Sequence, residues 1–304
     1  MVAPSGEQYE ISGSGYRAVV TECGAGLRLL EHEGRPLVDG YDEDEMASGG
    51  RGQLLVPWPN RIRDGQYAVG DRQLQLPLSE PSRRNASHGL ARWAAWNLEE
   101  HTDQSVTLRY RLMAQSGYPW TLDLHVVYDV SADGLTVTQS AANLAADPAP
   151  YAQGAHPYLS VGPGPCDGWE LTLPAATRSL SDPERKLPTG REPVEGTDFD
   201  FRVARPLRHT VLDHAFTDLV RDSAGRATVE LRDPASGHAV ALWVDAAHPW
   251  LMVYTGDDAT DAHRRSVAVE PMTAQADAFR SGEDLIMLAP GADFSASWGI
   301  RVLD

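Results

Sequence analysis

Along the chain, apolar and polar residues alternate in short runs bounded by turn residues, the period of half-buried strands rather than helices. Residues 121–130 are the clearest run. Leu122, Leu124, Val126, Tyr128 and Val130 share one face, and Asp123, His125 and Asp129 share the other. An Ala-Asp-Gly turn at 132–134 leads into residues 135–138, which predicts a hairpin. Residues 227–231 and 238–244 flank Pro234-Ala235-Ser236-Gly237 and predict a second. Residues 16–20, 106–112, 250–254 and 295–302 also fit strands, and Gly24-Ala25-Gly26 fits a turn between two of them. A dozen or more short strands with at most a few helical turns predict an all-β fold, a large antiparallel β-sandwich. Residues 40–52 are acidic and glycine-flanked, and residues 180–200 hold three prolines, so both read as loops. Strand patterning resumes with the same character after each, so residues 1–304 are expected to form one domain.

Composition narrows the partners. Lys and Arg total 26 against 43 Asp and Glu, a net charge of −17. Nucleic acid and anionic membrane surfaces both call for a basic face, so neither is expected as a partner. Cys23 and Cys166 are the only cysteines, too few for a disulfide framework. The first residues carry neither a basic nor an apolar leader segment, and no run of about 18 apolar residues occurs. A cytoplasmic protein, without secretory leader or membrane span, is the resulting expectation. There is no HxH, HExxH, CxxC, GxSxG, P-loop or GxGxxG pattern. No metal site or nucleotide cofactor is therefore predicted.

Five short segments place polar groups beside rigid punctuation. In Pro57-Trp58-Pro59-Asn60-Arg61-Ile62 two prolines hold the backbone ahead of an Asn-Arg pair rich in donors. The same spacing also fits a turn whose Arg meets a surface carboxylate. In Ser87-His88-Gly89-Leu90 a histidine precedes a glycine, which lets backbone approach a ligand, though a lone histidine often serves structure alone. In Gly154-Ala155-His156-Pro157-Tyr158 the proline forces extended geometry on His156, a group able to exchange a proton near neutral pH. His248-Pro249-Trp250 repeats that pattern, so it is not specific by itself. In Leu212-Asp213-His214-Ala215-Phe216, Asp213 could accept hydroxyl protons or cap a turn. In Val267-Ala268-Val269-Glu270-Pro271-Met272-Thr273 a glutamate ends an apolar, buried-looking strand, and burial turns a carboxyl group into a useful base.

Taken in order, these five segments resemble the aldose 1-epimerase (galactose mutarotase) family, from about Tyr16 to the C-terminus. The closing stretches Glu270-Pro271-Met272-Thr273, Leu288-Ala289-Pro290-Gly291 and Trp298-Gly299-Ile300 add to the likeness. The resemblance implies a large β-sandwich that interconverts the α and β anomers of free hexoses without a cofactor. It implies Glu270 and His156 as the catalytic pair, and Asn60, Arg61, His88 and Asp213 as sugar-binding residues. Members often carry glutamine where this chain has Met252, which puts the hydroxyl preference in question.

The chemistry needs a proton removed from the C1 hydroxyl while another reaches the ring oxygen. Glu270 is expected to take the first and a protonated His156 to give the second, since a carboxylate favours a neighbouring imidazolium. The expected partner is a monosaccharide, with the chain a monomer or homodimer. Three rivals stay open. One is epimerisation of hexose 6-phosphates, for which Arg83-Arg84 is the nearby basic pair, read here as solvated. Another is sugar binding without catalysis. A third is hydrolysis by Asp213 with Glu270, the carboxylate pair such chemistry uses.

Overall fold

The computed structural model describes residues 2–260 and 262–303. Two antiparallel sheets dominate. The first has nine strands, running across the sheet as Asn97–His101, Ser105–Leu112, Leu122–Ser131, Gly134–Asn143, Asp293–Leu303, Ala239–Val244, Ala227–Arg232, Glu170–Thr172 and Arg205–Pro206. The second has eight. Pro188–Pro193, Ala175–Ser181, Asp213–Leu219, Trp250–Tyr254, Val267–Met272, Gly154–Ala155 and Leu54–Leu55 follow one another, and Tyr158–Leu159 also pairs with Val267–Met272.

The alternation explains the layering. In Leu122–Ser131 every second residue is buried, and its partner Gly134–Asn143 alternates likewise. Val126, Tyr128, Val137 and Trp298 from the nine-stranded sheet join Phe216, Leu251, Val253 and Val269 from the other in one continuous buried cluster. That shared core makes the architecture the predicted antiparallel sandwich. Both predicted hairpins form, with Ser131 opposite Gly134 and Ala227 opposite Val244. Helix is confined to Ala278–Ser281 and two 3-10 turns among the described residues, and no helix is long and apolar enough to cross a membrane.

One expected loop is partly a strand. Pro188–Pro193 pairs with Ala175–Ser181 at the edge of the eight-stranded sheet. Proline is tolerated on an edge, where its missing N–H leaves no ladder bond unmade, so proline content misled the reading of residues 180–200. Residues 40–52 contain no strand.

Candidate active site

Strand Val267–Met272 is buried along its whole length, including Glu270, which is 2% exposed. Trp250–Tyr254 lies on one side, with Met252 opposite Glu270. On the other side two short strands, Gly154–Ala155 and Tyr158–Leu159, both pair with it. Between them lie His156 and Pro157. Proline cannot donate, so the ladder skips a rung there, but the Pro157 carbonyl still accepts from Val269 N–H at 3.1 Å. The His156 N–H donates to the Gln53 carbonyl at 3.1 Å, and its carbonyl accepts from Gly52 N–H at 3.0 Å. A histidine held this way has little freedom. Its Nε2 lies 3.3 Å from Glu270 Oε1.

The imidazole is also packed from the side. The Tyr158 ring stacks on it at 4.9 Å between centroids and 13° between planes. The Arg51 guanidinium lies over the Tyr158 ring at 4.6 Å, and the Tyr158 hydroxyl donates to the Gly49 carbonyl at 2.8 Å. Asp39 holds Arg51 at 3.1 Å.

His88 reaches the same place from another element. Strands Arg61–Arg63 and Asn85–Ser87 pair with Arg61 opposite Ser87. At the end of this ribbon Asn60 (φ 53°) and His88 (φ 60°) both adopt left-handed backbone, joined by His88 N–H to the Asn60 carbonyl at 2.8 Å. Non-glycine residues in that region are uncommon and cluster at functional sites. Gly89 follows at φ 72°, where a Cβ would sit 2.0 Å from the Val56 carbonyl oxygen. The His88 ring ends 5.6 Å from that of His156, edge to face.

Arg61 forms a two-point pair with Glu80 at 2.8 and 3.0 Å and donates to Asn60 Oδ1 at 3.3 Å. Asp213 opens strand Asp213–Leu219 and is paired with Lys186, from the Pro188–Pro193 hairpin turn, at 2.8 Å. All six sequence-predicted residues, together with Met252, line one cleft of about 330 Å³. That volume is at the small end of the roughly 300–1,000 Å³ typical of small-molecule sites. The second His-Pro-aromatic segment is elsewhere and structural. His248 is fully buried and bonded to Asp245 Oδ1 at 2.8 Å.

Tyr254 also lines the cleft, and so do Glu80, Arg92, Trp93 and Asp258, which carried no signal in the sequence. Arg83, read as part of a solvated pair, lines it too while remaining partly exposed, and Arg84 is exposed. Single arginines have no local signature, and only the fold brings them together. Among the described residues no group of three or more His, Cys, Asp or Glu side chains is placed to hold a metal ion.

Burial governs the proton affinities. It pushes the Glu270 carboxyl up to about 8, against the opposing pull of Arg61. Burial pulls His156 down to about 3, helped by the guanidiniums of Arg51, Arg92 and Arg61, and pulls His88 well below the usual imidazole range. Burial thus works against the charged form of each group. Glu270 Oε2, His156 Nδ1 and His88 Nδ1 are buried with no hydrogen-bond partner in the protein. Buried polar atoms are rarely left so.

A family model described as aldose 1-epimerase matches residues 7–301. The Escherichia coli K12 protein YihR is 35% identical over 288 residues, covering 94% of this chain and 90% of its own length. YphB from the same organism is 25% identical over 300 residues, covering 97% and 98%. Among solved structures, the GalM/aldose epimerase homologue from C. elegans superposes with a TM-score of 0.86 at 19% identity, covering 98% of this chain and 99% of that one. A galactose mutarotase-like protein from Clostridium acetobutylicum gives 0.82 at 18% identity, covering 97% and 94%. With the match spanning nearly its whole length, the chain belongs to the aldose 1-epimerase family.

Proposed function

We propose that the protein interconverts the α and β anomers of an aldose by opening and reclosing the pyranose ring, with Glu270 and His156 as the proton-exchanging pair. The observation that supports this most is their 3.3 Å contact inside a sugar-sized cleft. Between the values of about 3 and about 8 the pair holds one exchangeable proton. Substrate supplies the partners the pair lacks. The C1 hydroxyl donates to the carboxylate form of Glu270, and the ring oxygen accepts from the protonated form of His156. Hydrogen bonds to the charged forms favour them, so the proton crosses from carboxyl to imidazole as the sugar seats.

Glu270 then takes the C1 hydroxyl proton while His156 gives its own to the ring oxygen, and the C1–O5 bond breaks. The open aldehyde turns about C1–C2. On reclosure the C5 hydroxyl returns a proton to His156 and Glu270 returns one to the new C1 oxygen, which leaves carboxylate and imidazolium; the proton crosses back to the carboxyl as the product leaves. Each such transfer typically contributes about 10²–10⁴-fold. Asn60, Arg61, His88 and Asp213 hold the oxygens that do not react and fix the angle of approach.

Polarimetry of freshly dissolved α-glucose, with glucuronate and glucose 6-phosphate alongside, is the test. Acceleration over the uncatalysed rate is expected with at least one of these sugars. Binding without acceleration would leave a sugar-binding protein instead.

A further inference from the structure

Arg51 is buried, yet it is not among the described residues that line the cleft. It meets the site only through other groups. Its Nε and Nη2 donate to Asp39 Oδ2 at 3.3 and 3.1 Å, and its Nη1 donates to the Ser48 hydroxyl and carbonyl at 3.1 and 3.2 Å. Asp39 is itself held from several directions. Arg265 pairs with its Oδ1 at 2.9 Å, the Ser266 hydroxyl donates to its Oδ2 at 2.9 Å, and its N–H donates to the Tyr158 carbonyl at 2.8 Å. Ser266 directly precedes the strand that carries Glu270. One carboxylate therefore ties together the loop at residues 40–52, the Tyr158–Leu159 ribbon and the Glu270 strand.

The anchored guanidinium bears on what surrounds His156. A single ring, that of Tyr158, carries the Arg51 guanidinium at 4.6 Å and the His156 imidazole at 4.9 Å, the latter nearly parallel to it. The Tyr158 hydroxyl donates to the Gly49 carbonyl, and Gly50 follows with φ 80°. A Cβ on Gly50 would lie 2.9 Å from His156 Cδ2, so this turn closes against the edge of the imidazole. Arg51 is the next residue, and its own N–H donates to the Ser48 carbonyl at 3.1 Å. We propose that Arg51 is a positioning residue for His156. Anchored by Asp39, it holds Tyr158 and the Gly49-Gly50 turn against the imidazole and keeps Nε2 turned to Glu270. Its effect on turnover rests on the anomer-exchange reading above; its effect on the ring does not. A guanidinium can lie on an aromatic face and fork onto a carboxylate at the same time, whereas an ammonium keeps the first contact and loses the fork. Misplacing a reacting group by about 1 Å can cost roughly 10²-fold in rate.

Arg51→Met is the direct test, and it strands no charge, because Asp39 keeps Arg265 and Ser266. By polarimetry kcat should fall about tenfold or more while KM stays within about threefold, the mark of a group that matters to the transition state and not to sugar binding. Arg51→Lys should recover part of the lost kcat. Long-range ¹H–¹⁵N spectra of the imidazoles give a readout without turnover, with His156 assigned through His156→Gln. The His156 ring signals should shift and broaden in Arg51→Met, while those of His248, buried elsewhere, stay as in the parent. Should Arg51→Met fail to fold, Asp39→Asn carries the test, with the same pattern in weaker form. Parent kcat in the folded variant, a loss confined to KM, or unmoved His156 signals would each overturn the proposal. If the parent accelerates no sugar, the anomer-exchange reading falls, and the ring spectra still decide whether Arg51 places His156.

Discussion

Glu270 and His156 have been moved in opposite directions by the same cause. Both are buried, and burial disfavours the charged form of each. A carboxyl group brought to about 8 is better placed for proton exchange at neutral pH than one left at its ordinary value. Glu270→Gln should lower turnover by about 10²–10⁴-fold while sugar affinity stays within a few-fold. Unaltered polarimetric rates in that variant would show another base at work. His156→Ala should slow the reaction as well. Above about pH 8 the pair loses its single proton, and no acid remains for the ring oxygen. We therefore expect kcat/KM, corrected for the uncatalysed reaction, to fall roughly tenfold per pH unit beyond that point. A rate that climbs through pH 9 would mean that Glu270 is not the titrating group.

At the scale of elements, the site depends on where backbone departs from regular pairing. The rung skipped at Pro157 aims His156, and the left-handed pair Asn60 and His88 aims the second imidazole. Gly89 supports the latter by letting two segments cross within reach of the Val56 carbonyl, which accepts from Leu90 N–H at 2.8 Å. Gly89→Ala should destabilise the protein by about 2 kcal/mol or more and raise KM, because both the positive φ and the contact forbid a Cβ. A denaturant midpoint and KM equal to those of the parent would contradict this. These departures were partly legible in the chain. Proline beside histidine and histidine before glycine marked two of them. Two-residue strands such as Tyr158–Leu159 have no periodicity to read, and the Pro188–Pro193 edge strand was hidden by its own prolines. Lys186, which holds Asp213, sits in that same misread stretch.

Across the whole molecule, alternation alone was enough to give the layered β architecture, because each long strand buries every second side chain against a single core. What no local pattern could reveal was which isolated charges meet. Glu80, Arg83 and Arg92 come from a turn and a loop, and the fold brings them to the same cleft as Glu270. Holding a carboxyl in the core also has a global cost. The folded value for Glu270 is raised, so its contribution to stability is full below about 4.5 and is lost as pH rises through about 8. Glutamine does not titrate. Glu270→Gln should therefore gain on the parent between pH 5 and pH 8, by up to about 1.4 kcal/mol per unit of the raised interval. Guanidinium unfolding at those two pH values would show it, and an equal gap at both would refute it.

The Glu270 carboxyl and the His156 imidazole are carried by neighbouring ribbons tied through main-chain hydrogen bonds, with Glu270 on a strand that has partners along both edges. They cannot drift apart while that weave is intact, and no hinge or lid is needed to assemble them. Loss of turnover on heating should then coincide with loss of the far-ultraviolet signal. The amide protons of Val267–Met272 should be among the last in the chain to exchange with deuterium.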